Sequence, residues 1–265
     1  MPVSQWHAYD HYGLALIAVL GTLVGVLLIQ WFAQSSRWAG WVRSLEGVAP
    51  PFINIVGVLF ALTLAFLAND TWSAHDRAMG AVYREADALR SIIALAEPLP
   101  APLGERVRRA VGDYARVSAD EWTELARRNE GAEVGRHADR LLTVLASRDL
   151  ETAVGATVQA LMLRKAADAR ADRDQRVALS KTHVNPLKWA GMAFLGFLTL
   201  LSVAAVHVDR PRAAMVGVVL FALAAAPTAA IVLVQGNPFQ QPTAVTPQPS
   251  AAGAASLQAQ ASPER

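Results

Sequence analysis

The chain has 265 residues, 53% of them hydrophobic and only 17% charged, with a formal net charge of +2 and a mean hydropathy of +0.27. Soluble domains carry roughly 25% charge, and so small a net charge gives no electrostatic ground for nucleic-acid binding. Cysteine is absent, which excludes disulfides, thiol catalysis and cysteine metal sites.

The apolar residues are gathered into four runs, at residues 13–32, 52–68, 189–206 and 213–234, none containing Lys, Arg, Asp or Glu. Each is about the length needed to cross roughly 30 Å of hydrocarbon as a helix. Four such runs in one chain of this size do not fit a soluble core, so the reading is an all-α membrane protein with four transmembrane helices. The first run is read as a retained span. Residues 1–11 hold no Lys or Arg, and the run exceeds the roughly 7–15 residues of a signal-peptide core. Trp6, Tyr9, Tyr12, Trp31, Trp38, Trp72 and Trp189 fall at predicted boundaries, where amphipathic rings settle. Gly21 and Gly25 are spaced for close helix approach, although glycine is common in membrane helices anyway. Pro227 within the fourth span frees a backbone carbonyl and predicts a kink.

Between the second and third spans lies a polar insert rich in Arg, Asp, Glu and Ala, predicted as a helical bundle. Met79, Val82, Ala86, Leu89, Ile93 and Ala96 recur every three or four positions, so the second span is expected to continue into the insert as one long helix. Pro98, Pro100 and Pro102 end it. Further helices are expected at about residues 104–128, 132–147 and 148–181. The predicted organisation is a tail and two spans at 1–69, the helical insert at 70–186, two spans at 187–235, and a disordered Pro-, Gln- and Ala-rich tail at 236–265.

Chemistry has little footing. The six histidines show no metal-ligand spacing, and no GxSxG elbow, phosphate-binding glycine loop or HExxH is present. The acidic residues of the insert alternate with Arg as on solvated helix faces. No catalytic residue, metal site or cofactor is therefore assigned, and no enzyme activity is expected. Polar residues in the spans are a better lead, because hydrocarbon makes them costly. Asn54 and Asn69, near the two ends of the second span, suit either a water path or a bond to a neighbouring helix. The same span carries Val58, Leu62 and Phe66 at i, i+4 and i+8. In one chain that row is a packing face; around the axis of an oligomer it is a hydrophobic constriction that gates by dewetting.

Pro51-Phe52, Gly57, Ala65-Phe66, Asn69 and Trp72 resemble the second membrane helix of bestrophins. With Tyr114, Glu121-Trp122 and Pro238-Phe239, the chain over about residues 12–240 resembles the bacterial bestrophin-like family. Bestrophins are pentameric channels, anion- or cation-conducting, whose second helices line the pore. The resemblance implies that Val58, Leu62 and Phe66 form the neck, in a homo-oligomer passing small anions. It departs from the pattern at Ala65, at Leu67 and Ala68, and in lacking an acidic calcium clasp. The resemblance implies a bacterial inner membrane as the setting. Arg37, Arg43, Arg210 and Arg212 in the short loops put the insert outside, whereas the family likeness puts it in the cytoplasm. The alternative to a channel is a non-conducting scaffold or sensor whose insert binds a partner. That reading expects Val58, Leu62 and Phe66 to be buried within one subunit.

Overall fold

Helix is the only regular structure among the described residues. The computed structural model describes residues 49–181, 186–207, 209–241 and 244–247, with isolated helical positions between 20 and 40. The run at 13–32 therefore lies largely outside the described residues, as do Trp6, Tyr9, Tyr12 and Trp38. Seven helices are described in full. These are α1 (Ala49–Ala96), α2 (Ala101–Asp120), α3 (Trp122–Ala126), α4 (Ala132–Leu145), α5 (Arg148–Ser180), α6 (Pro186–Val206) and α7 (Pro211–Val234). Three of them are long and apolar enough to cross a membrane, over Pro51–Ala96, Leu187–Val206 and Arg212–Val232.

Helix α1 is continuous for 48 residues, because after Pro50 and Pro51 in its first turn no proline occurs before Pro98, and the residue before a proline avoids the helical region. Helix α2 restarts at once, with Pro100 as its N-cap and a proline in its first turn, where the missing N–H costs nothing. The single helix expected at 148–181 contains a break: Gly155 takes φ +78° and ψ 156° inside α5, a backbone that only glycine adopts at low cost.

The chain forms two compact units. The first comprises Met1–Ser73 and His183–Gly236. In it the start of α1 packs on α6 and α7 through Phe60, Leu67, Ala68, Met192, Ala229 and Val232. The Phe60 and Phe221 rings lie 5.3 Å apart at 54°, a tilted geometry that aromatic pairs favour. Helices α6 and α7 approach closely where Gly217 meets Val203, whose Cγ1 would lie 2.9 Å from an added Cβ. This is the small-residue contact by which apolar helices associate in lipid.

The second unit comprises Ala74–Thr182 and Asn237–Arg265. Its main core joins α1, α2, α4 and α5 through residues that include Ile92, Val107, Tyr114, Leu141, Leu150 and Met162. Of the expected stripe on α1, Val82, Ala86, Leu89 and Ala96 are buried, while Met79 is 40% exposed. Ala78, Glu85 and Ile92 are buried beside them, and the positions from Ala78 through Val82, Glu85, Leu89 and Ile92 to Ala96 step by four and three, which keeps one seam turned to the partner helices over five turns.

The segment after α7 differs from the disordered tail expected at residues 236–265. Asn237 Nδ2 donates to the carbonyls of Leu125 and Ala126 at 3.1 and 3.3 Å, and Asn237 Oδ1 accepts from Phe239 N at 3.0 Å. Phe239 and Val245 are buried against Trp122, Leu125 and Val177. Polar composition suggested nothing to bury, yet one Asn cap and two apolar side chains suffice to seat the segment. Residues 248–265 lie outside the described residues.

Candidate functional site

Two arrangements stand out, one in each unit. In the first, α1 has two unlike faces. Val56, Phe60 and Leu67 are turned inward at 2%, 9% and 1% exposure, whereas Val58, Leu62 and Phe66 are 58%, 50% and 67% exposed. At about 100° per residue the three exposed side chains cluster on one side of the helix, nearly opposite the buried ones. Ile55 and Leu59 widen that side, at 59% and 47% exposure. Asn69 lies one turn beyond Phe66 and is exposed on the same side; Asn54 is exposed one turn before Val58. Among the described residues neither Asn side chain bonds to another helix of the first unit, and the row is apolar between them.

The end of this stretch is tied to the later spans. Asp70 Oδ2 accepts from Lys188 Nζ at 2.6 Å, across α1 and α6. Trp72 Nε1 donates to Gln235 Oε1 at 3.2 Å, just past α7. Trp72 thus sits at a predicted boundary with its ring 59% exposed and its N–H satisfied, the pairing an interfacial Trp favours.

In the second unit, charges that the sequence placed on solvated faces are buried. Glu85 and Arg176 have side chains with no exposure, and Glu121 and Arg173 have 0% and 5%. Arg176 Nε lies 2.8 Å from Glu85 Oε2 as an ion-pair contact, and Nη2 donates to Glu85 Oε1 at 3.0 Å and Ser118 Oγ at 2.7 Å. Glu85 Oε1 also accepts from Tyr114 OH and Ser118 Oγ, each at 2.9 Å. The Arg176 guanidinium lies 4.6 Å from the Trp122 ring centroid, and Trp122 Nε1 donates to the Val245 carbonyl at 2.7 Å. Beside this, Arg173 donates to both Glu121 oxygens at 3.2 and 2.6 Å and to the Gly131 carbonyl at 3.1 Å. Glu121 in turn accepts from Gly131 N at 3.0 Å, which ties it to the residue just before α4.

Charge is balanced here: two carboxylates meet two guanidinium groups, which is how ions are tolerated out of water. Burial pushes the Tyr114 phenol well above its usual range, and the neighbouring Glu85 charge raises it further. For Arg173 burial works downward, but the hydrogen bond and charge of Glu121 outweigh it and raise the guanidinium above its ordinary value. The four charged side chains are almost wholly out of contact with solvent. The cluster's chemistry is structural, joining α1, α2, α3 and α5 through one set of bonds. Arg127 makes an i, i+3 pair with Glu124 at 3.0 Å on the surface.

The sequence matches the family model of the bestrophin-like domain over residues 20–250. No curated protein matches it. In structure the chain is similar to a bacterial bestrophin homolog from Klebsiella pneumoniae, solved as a tryptophan-to-alanine variant. The TM-score is 0.62 at 13% identity, over 98% of this chain and 97% of that one. An aspartate-to-alanine variant of the Klebsiella pneumoniae homolog gives a TM-score of 0.66 at 15% identity, over 93% and 97%. A crystal structure described only as a membrane protein gives 0.63 at 13% identity, over 92% and 95%. At such identities the likeness is one of fold.

Proposed function

The chain belongs to the bestrophin-like family, and from that premise we propose that it is a homo-oligomeric ion channel for small anions, with its neck on α1. The neck is the row Val58, Leu62 and Phe66, with Asn54 and Asn69 as the polar positions at its two ends. One observation carries this reading: the three side chains are half or more exposed in the single chain, at 58%, 50% and 67%. A scaffold that packed α1 entirely within one subunit buries them. Repeated around an axis, the row forms an apolar ring that holds water and ions out until it widens. Asn54 and Asn69 give the row a polar position at each end, which suits a water path.

The assembly is tested by the mass of the purified protein in detergent, by light scattering with the detergent contribution subtracted. Five subunits of 28.3 kDa are expected, by likeness to the family. A monomer or dimer leaves no axis for the row to surround and favours the scaffold.

A further inference from the structure

Asp70 follows Phe66 by four residues, one more step of the row that contains Val58 and Leu62. On a helix that step turns about 40°, so Asp70 stands at the border between the exposed row and the face packed on α6. There Lys188 Nζ meets its carboxylate at 2.6 Å, with the two side chains 55% and 50% exposed. No charged residue occurs in α1 between Ala49 and Asn69. Nor does α6 hold any other than Lys188. The pair is thus the first full charge met along α1 after the apolar row. So exposed a pair adds little stability, but a ring of charged side chains at a pore mouth selects ions by sign.

Resting on the pore reading, we infer that Asp70 and Lys188 set the charge selectivity of the channel. In each subunit Lys188 neutralises the carboxylate next to the neck, which keeps the mouth from admitting cations preferentially. Removing either partner leaves a ring of one sign. Lys188→Gln uncovers the carboxylates and turns selectivity toward cations; Asp70→Asn leaves the ammonium groups and turns it toward anions.

The experiment is the reversal potential of purified, reconstituted protein under a potassium chloride gradient. The two variants are expected to move the cation-to-anion permeability ratio in opposite directions, each on the order of fivefold, the effect of one unpaired charge at contact distance in water. The shifts shrink at about 1 M salt, where screening falls to roughly 3 Å, and a purely structural defect does not shrink this way. The Asp70→Asn/Lys188→Gln double variant returns near the wild-type ratio. If a single variant does not assemble, Lys188→Met or Asp70→Ser is read in its place, with the same direction of shift expected. Currents in all variants at the wild-type ratio overturn the assignment while leaving the pore reading intact. No current from wild-type protein overturns both.

Discussion

Replacing Glu85 with alanine is expected to lower the thermal midpoint of the detergent-solubilised protein by about 10 °C or more. Glu85 is fully buried and takes bonds from Tyr114, Ser118 and Arg176. Its loss strands the Arg176 guanidinium, whose side chain has no exposure at all. Breaking one side of a buried pair costs about 3–5 kcal/mol, and each kcal/mol is worth roughly 2–4 °C for a chain near this size. The Trp122 ring at 4.6 Å offers the stranded cation only partial compensation. Arg176→Met is expected to be nearly as damaging, because it leaves the Glu85 carboxylate buried among fewer donors. The Glu85→Ala/Arg176→Met double variant should lose less than the sum of the two, since replacing both partners removes the uncompensated charge. Thermal melts followed by circular dichroism check all three. Single variants with the wild-type midpoint would show that the cluster carries none of the stability assigned to it.

Shortening the neck has the largest expected effect on function. Phe66→Ala and Leu62→Ala each remove an apolar side chain that is 67% or 50% exposed on the row. If the barrier is the dry ring, each widens it and makes it easier to wet. Every 1.4 kcal/mol or so taken off the barrier multiplies flux about tenfold, so a severalfold to tenfold rise in single-channel conductance is expected in bilayer recordings. Phe60→Ala is the contrast. Phe60 is buried against Phe221 and Gly196, so that variant should cost stability without raising conductance. Neck variants that conduct like the wild type would place the barrier elsewhere.

Much of the helix layout was legible because it depends on local signals. The length of α1 followed from an apolar period that no proline interrupts, and its end from three prolines in five residues, Pro98, Pro100 and Pro102. The break at Gly155 was not, since an isolated glycine within a helical pattern carries no mark of its φ. The buried charge cluster was missed for a different reason. Glu85 and Arg176 are 91 residues apart, and nothing local distinguishes a paired carboxylate from a solvated one. A trace existed: Glu85 lies three residues after Val82 and four before Leu89, inside the apolar stripe. Arg173 and Arg176 likewise fall in step with Ala166, Ala169 and Ser180, all buried. A charge at a core position of a helix pattern is either an error of register or one half of a pair.

The row on α1 was legible as a row, but its direction was not. Val58, Leu62 and Phe66 are as apolar as Val56, Phe60 and Leu67, and spacing alone does not tell which set packs inward. The split arises because Met192, Ala229 and Val232 cover only one side of the helix. Tyr114 and the Glu121-Trp122 pair, picked out by family likeness, proved to be members of the buried cluster. Their place in the pattern reflects packing in the second unit rather than contact with an ion.

That the exposed side of α1 faces a conducting water path is tested most directly by thiol block. The chain has no cysteine, so Val58→Cys, Phe66→Cys and Leu220→Cys each introduce a single reactive site. Leu220, on α7, is 61% exposed in the single chain, comparable with Val58 at 58% and Phe66 at 67%. A water-soluble thiol reagent added during bilayer recording is predicted to cut the current at positions 58 and 66 and to leave the position 220 variant unchanged. Current that survives the reagent at both row positions, or is lost at position 220 alone, would contradict a pore lined by α1.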